Sequence, residues 1–395
     1  MKFAVESWSP DYGSPVEAGA ANPEAEAGAA VNLDVECPAA EWAPIRSETG
    51  PAQRLALVDG VRRIDARVWV TDDAGRTVPG LCASYAAGVI RCETRAEVVA
   101  MEVERGLFVP VPARSIETMY ATYLAQPMND WARGGGGAAA NTKPPRPPGR
   151  GSEGRASGRS PGGDSAGGAG GEGASSGSSA GSGSGTSAAG GSGGSAGGSG
   201  SESARASVGD GSSDRGTPGD PLQQALQRAL RELEIRVAKQ AGEADLVVID
   251  GSLRGRQHLE AAVGYVKSHW VTYLDESTTS VIARLAPGER TPMFKIEGDW
   301  IRYSWYLRLP GGEGHPWAGV VRCEVSDQLS TEDAQRFANL TAATLPRFAS
   351  EAHKDTRAPQ NLYPIAGLER ELRRRLGDAN LLLRGLRIAA GAQGR

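Results

Sequence analysis

The sequence lacks most of the features that would classify a chain on inspection. Its 395 residues include only four cysteines, Cys37, Cys82, Cys92 and Cys323. They stand at no metal-ligand spacing and are too sparse for a disulfide scaffold, so zinc modules and disulfide-rich secreted domains are excluded. No window approaches the roughly 18 apolar residues of a membrane span, and Glu6 interrupts the N-terminus before an apolar signal core can form. Export and membrane insertion are disfavoured, and a cytoplasmic location is expected. Lys plus Arg number 43 against 47 Asp plus Glu, a net charge of −4, without the basic excess of a protein that coats nucleic acid by net charge. No Gly-x-x-x-x-Gly-Lys-Ser/Thr loop is present, so any ATP-driven motion must come from a partner. His258, His269, His315 and His353 have no ligand spacing and are expected to be structural or exposed.

Glycine is in excess, and its distribution divides the chain. Of 54 glycines, 29 fall in the 83 residues from Gly134 to Gly216, among Ser and Ala with scattered Arg, Asp and Pro. Such a composition cannot offset its ordering entropy and reads as a flexible coil. Four segments follow: a partly ordered arm over 1–50, a first folded part over 51–132, a disordered Gly/Ser-rich insertion over 133–217 and a second folded part over 218–395. In the arm, 2–8 and 31–36 read as short strands. RLALVDG from Arg54 is a buried-strand run ending at Asp59-Gly60, and two further strands follow, with Asp72, Asp73 and Gly75 in their turn. Three antiparallel strands are expected. After Pro221, Leu222, Leu226, Leu230, Leu233 and Val237 lie on one helical stripe, and ADLVVIDG is a second continuous apolar strand ending in Asp-Gly. Strands over 270–273, 280–284, 300–308 and 320–324 and helices over 331–345 and 366–376 complete an α/β order.

Two buried runs, LALVDG and LVVIDG, thus end in an aspartate where a strand is expected to leave the sheet, the place where α/β folds put ligands and catalysts. Either aspartate alone reads as the start of a turn before glycine. If the strands are neighbours, however, Asp59 and Asp250 repel each other unless a cation or a shared proton intervenes, and a divalent metal resolves the conflict. The helix offers a third carboxylate. At 100° per residue, Glu234 lies about 80° from the centre of the leucine stripe and Glu232 about 120° away on the other side, so Glu234 faces the sheet edge and Glu232 faces solvent. Asp59, Glu234 and Asp250 would form an oxygen-rich site suited to Mg²⁺ or Mn²⁺ and not to zinc.

The ordered set of LALVDG with its hairpins, Arg231-x-x-Glu234-x-x-x-Ala238, VVIDGSL, GYVKSH and APQNLYPIAGLERELRRRLGD resembles the NurA nuclease family over roughly Val31 to Arg133 and Pro221 to Leu386. The resemblance implies an RNase H-like mixed sheet flanked by helices, interrupted here by the long insertion. It also implies a manganese-using DNA nuclease, a 5'-3' exonuclease and/or single-strand endonuclease in DNA end processing and repair, typically a homodimer working with the hexameric ATPase HerA. By position, Asp59 and Asp250 match the family's metal aspartates, Glu234 its helix glutamate, and Lys267 a lysine that holds the scissile phosphate. The sequence departs where the family often carries a helix histidine after Tyr-Pro: Leu368-Glu369 stands there. Two readings of Glu369 are open, a metal-ligand role and a surface charge. The altered motif also supports a rival class, a catalytically silent RNase H-like subunit that binds DNA or docks the ATPase.

Other signals have plain readings beside the functional one. Lys267 at the end of an apolar run also fits a snorkelling lysine. Trp300, Tyr303, Trp305 and Tyr306 interleaved with Arg302 and Arg308 suggest a single-strand groove, although alternation puts half of them in the core. Arg370, Arg373, Arg374 and Arg375 could bind phosphates, and a solvated helix face is the default.

Overall fold

The computed structural model describes residues 29–126, 128, 220–269, 273–312 and 314–393. The strand expected over 2–8, most of the arm, the insertion over 133–217 and residues 270–272 lie outside the described residues.

The described residues on both sides of the insertion build a single mixed sheet. Strands β1 (Leu55–Thr71), β2 (Thr77–Cys92) and β3 (Ala96–Phe108) form an antiparallel meander. The first turn is made as expected, with Asp72 Oδ1 accepting from the backbone N–H groups of Ala74 and Arg76. Helix α1 (Pro221–Ala238) then crosses over to β4 (Leu246–Asp250), which runs parallel to β1, and β5 (Ala262–Val266) runs parallel to β4. Strands β6 (Phe294–Glu297), β7 (Arg302–Arg308) and β8 (Val320–Ser326) are antiparallel additions. The spatial order is β3-β2-β1-β4-β5-β8-β7-β6. Short strands extend both edges: Thr122–Gln126 pairs with β3, and Ala30–Asn32 with β6.

Helices cover both faces, which is why the paired stretches Leu55–Val58 of β1 and Leu246–Ile249 of β4 are wholly apolar. On one face the α1 stripe, Leu226, Leu230, Leu233 and Val237, packs on Val58 and Ile249. Asp220 caps this helix by accepting from the Leu222 N–H, and Pro221 occupies its first turn. On the other face α3 (Thr331–Thr344) and α4 (Tyr363–Arg375) bury Phe337, Leu368 and Leu372 against Leu57 and Val248. The last helix, α5 (Ala379–Gln393), reaches the core through Leu386.

Four expectations need correction. LALVDG does not end at Asp59-Gly60: it and the run after it are one 17-residue strand. The segment over 280–284 is helix, part of α2 (Glu276–Arg284), because Asp275 caps it through the Thr278 N–H at 2.8 Å and overrides the β-branched run. The arm strand expected over 31–36 is limited to Ala30–Asn32. Strand β7 is buried on both faces and is no groove: Arg302 pairs with Glu324 at 3.4 Å, Arg308 donates to the carbonyls of Ala318 and Ile282, and the Trp305 indole donates to Thr341.

Because Leu233 is fully buried and Glu232 exposed one residue away, the two positions should respond oppositely to alanine. Leu233→Ala is expected to cost about 2–5 kcal/mol. Glu232→Ala should stay within about 0.5 kcal/mol of wild type. Urea unfolding of both variants checks the placement of α1.

Candidate active site

The β1–β4 pairing assembles the site. Val58 stands opposite Ile249 in parallel register, so the next residues, Asp59 and Asp250, are neighbours at about the 5 Å interstrand spacing. Their glycines serve different ends. Gly251 has φ +94° and turns the chain out of β4, whereas Gly60 continues β1 and leaves room for α1. A Cβ on Gly60 would lie 2.5 Å from Glu234 Oε1. The glutamate predicted by helical phase is therefore seated over the residue next to Asp59, buried to 5% exposure. Glu369 arrives from α4, whose Leu368 packs on the opposite face of the sheet, and its charge also reaches Asp59.

Four carboxylates thus surround the β1–β4 pair, Asp59 on the α4 face and Glu234 on the α1 face, and three of them are held by cations. Lys267, at the end of β5, places Nζ 2.7 Å from Asp250 Oδ2 and donates to Asn361 Oδ1 at 2.9 Å. Arg256 closes on Glu234 and donates to the Ser252 carbonyl at 2.6 Å. Arg357 closes on Glu369, which also binds Arg373 at 3.0 Å. Among the described residues no ion pair reaches Asp59, whose Oδ1 accepts only the Gly60 N–H at 2.7 Å.

The proton affinities follow. Burial, then the charges of Asp250, Glu369 and Glu234, push the Asp59 carboxyl well above the usual range against the pull of Lys267. Burial raises Glu234 too, opposed by Arg256. For Glu369, burial acts upward but Arg357, Lys267 and Arg373 outweigh it and hold the carboxyl below its ordinary value.

All the carboxylates read from the sequence, Asp59, Glu234, Asp250 and Glu369, come to this region, and Lys267 is the counter-ion of Asp250. The loop cations Arg256 and Arg357 were missed, as was Asn361, because loops carry no periodicity. Glu324 of β8 was missed as well: fully buried between Arg302 and Arg322, it accepts the Leu253 N–H at 2.8 Å and fixes the turn that leaves Asp250. The histidines are as expected. His269 is buried, donates to the Val320 carbonyl and is driven by burial to a pKa of about 4, while His258 and His353 are exposed. Arg374 and Arg375 pair with Glu371 on the solvated face of α4.

Among the described residues no group of three or more His, Cys, Asp or Glu side chains is close enough to hold a metal ion as the side chains stand. The chemistry of the donors nevertheless fits a hard divalent cation. Asp59 and Asp250 are adjacent oxygen donors, Asp59 is buried with no ion pair among the described residues, and Glu234 and Glu369 are engaged by arginines beside the same pair.

A family model described as NurA domain matches residues 185–374. Over that span the chain is similar to the NurA domain. The NurA domain is in general a nuclease domain. Its matched span carries Glu234, Asp250, Lys267 and Glu369 but not Asp59, which joins them through the sheet. No curated protein matches the chain. Among the described residues no helix is long and apolar enough to cross a membrane.

Asp59 is a carboxylate whose folded-state pKa is raised, so its ionisation costs stability. That cost is absent below the unfolded pKa of about 4 and grows as pH rises towards the folded value. Asp59→Asn should therefore be more stable than wild type at pH 7 in metal-free buffer, with the gain vanishing as pH approaches about 4. Urea titrations across this range check the sign, and an Asn variant less stable than wild type at pH 7 contradicts the unpaired-charge account.

Proposed function

We propose that the chain is a divalent-metal-dependent deoxyribonuclease. The observation that carries this reading is the juxtaposition of Asp59 and Asp250, one of them buried without a counter-ion. Natural sheets avoid adjacent buried carboxylates unless the site needs their charge. Support for an RNase H-like core comes from the sheet: three antiparallel strands flanked by two parallel ones, in the order β3-β2-β1-β4-β5. The domain is read as two sequence parts, 51–132 and 218–395, around the insertion.

In this reading Asp59 and Asp250 would hold Mn²⁺ or Mg²⁺, with Glu234 as a further oxygen donor from α1. The chemistry such an ion would supply there is activation of a water and neutralisation of charge on the scissile phosphate. Lys267, oriented by Asp250 and Asn361, presents its ammonium where a phosphate oxygen would enter. Glu369 takes the position of the family's histidine beside Asp59. The wider expectations extend the proposal: DNA as substrate, 5'-3' exonuclease and/or single-strand endonuclease action in end processing, a HerA-type hexameric ATPase, a homodimer and a cytoplasmic setting.

The arginines on Glu234 and Glu369 favour one second reading, a silent subunit that binds DNA or docks the ATPase. Asp250→Asn separates the two. On the nuclease reading it abolishes Mn²⁺-dependent cleavage of labelled DNA and shrinks stabilisation by Mn²⁺, while loss of the 2.7 Å ion pair with buried Lys267 leaves the metal-free variant less stable than wild type. A variant that cuts at the wild-type rate, or a wild type inert with both Mn²⁺ and Mg²⁺, contradicts the catalytic reading.

A further inference from the structure

The three loop cations at the carboxylate cluster differ in what holds them. Arg256 is buried to 7% side-chain exposure and is tied to both Glu234 and the Ser252 carbonyl. Lys267, 9% exposed, is tied to Asp250 and Asn361. Each is thus held at two points, and the charge of Arg231 reaches Glu234 as well. Arg357 differs on three counts. It is the most open of the three at 19%, it is carried by the loop before α4, and its partner Glu369 has a second cation in Arg373, 3.0 Å away. The charge of Asp250 also reaches Arg357, and Asp250 keeps Lys267. The departure of Arg357 therefore leaves Glu369 and Asp250 each with another cation, while Asp355, whose charge also reaches it, keeps the Asn361 amide. A guanidinium is suited to such an exchange because its planar fork matches carboxylate and phosphate alike.

We propose that Arg357 is a phosphate-binding residue of this site, resting on Glu369 in the free protein and exchanging onto a DNA backbone phosphate when a strand enters, while Arg373 keeps Glu369 neutralised. This inference rests on the nuclease reading and adds to it a substrate contact on the α4 side of the Asp59–Asp250 pair, opposite Glu234. It makes Glu369 the residue that stores Arg357 between substrates.

The test uses the full chain and a fluorescein-labelled single-stranded oligonucleotide of mixed sequence, with binding read by anisotropy in EDTA over a range of salt. One lost phosphate contact reduces the slope of log K against log salt by about 0.7 on a single strand. Arg357→Gln should show that reduction, with affinity lower by on the order of tenfold at low salt, and Arg357→Lys should retain the wild-type slope. Glu369→Gln removes the ion pair between Arg357 and Glu369 and should bind more tightly than wild type, and adding Arg357→Gln should remove the same 0.7 or so from its slope. The double variant carries no unpaired acid at position 369, so it keeps the test valid even if Arg357→Gln alone folds poorly. Unchanged slopes in both backgrounds, with a wild type that binds and cuts DNA, overturn the role of Arg357 and leave the nuclease reading standing. A wild type that neither binds nor cuts overturns both.

Discussion

The parallel pairing of Leu55–Val58 with Leu246–Ile249 joins residues that lie about 190 positions apart in sequence, and every feature of the site depends on it. Both runs are apolar along their length because α1 covers one face of this pair and α3 and α4 the other. A one-residue slip would send Asp59 and Asp250 to opposite faces, so the burial that stabilises the sheet also fixes the register of the two carboxylates. From that register follow the seat of Glu234 over Gly60 and the approach of Glu369 from α4.

The assembled site is an electrostatic compromise. Buried carboxylates persist when they are paired, protonated or bound to a cation. Glu234, Asp250 and Glu369 take the first route through Arg256, Lys267 and Arg357. Among the described residues Asp59 has only the Gly60 N–H, and its raised proton affinity follows from the remaining conflict. The counter-ions come from loops and strand ends while the acids sit on the strands and helices of the core. A rigid set of acids with cations on its margin can exchange partners without disturbing the sheet that carries it.

Legibility in the sequence followed periodicity. The leucine stripe placed α1 and chose Glu234 over Glu232, and the continuous apolar runs placed β1 and β4 as buried strands. Asp59 is legible for an incorrect local reason: the Asp-Gly pair suggests that the strand leaves the sheet there, yet β1 continues through Gly60, which is needed for the close approach of a helix. The run over 280–284 looked like a strand until a capping aspartate made it helix. The aromatics and arginines of β7 looked like a binding surface because nothing local reveals the buried Glu324 that neutralises Arg302. Arg256, Arg357 and Asn361 were illegible for the same reason, since their partners are distant in sequence and their loops have no pattern.

The central claim, that Asp59 and Asp250 together form a cation site, is tested most directly by counting bound Mn²⁺ through its electron paramagnetic resonance signal in wild type, Asp59→Asn and Asp250→Asn. The account predicts saturable Mn²⁺ binding by the wild type at neutral pH and loss of that binding in each variant, with both variants folded. Equal Mn²⁺ binding by all three proteins, or none by the wild type, would contradict it.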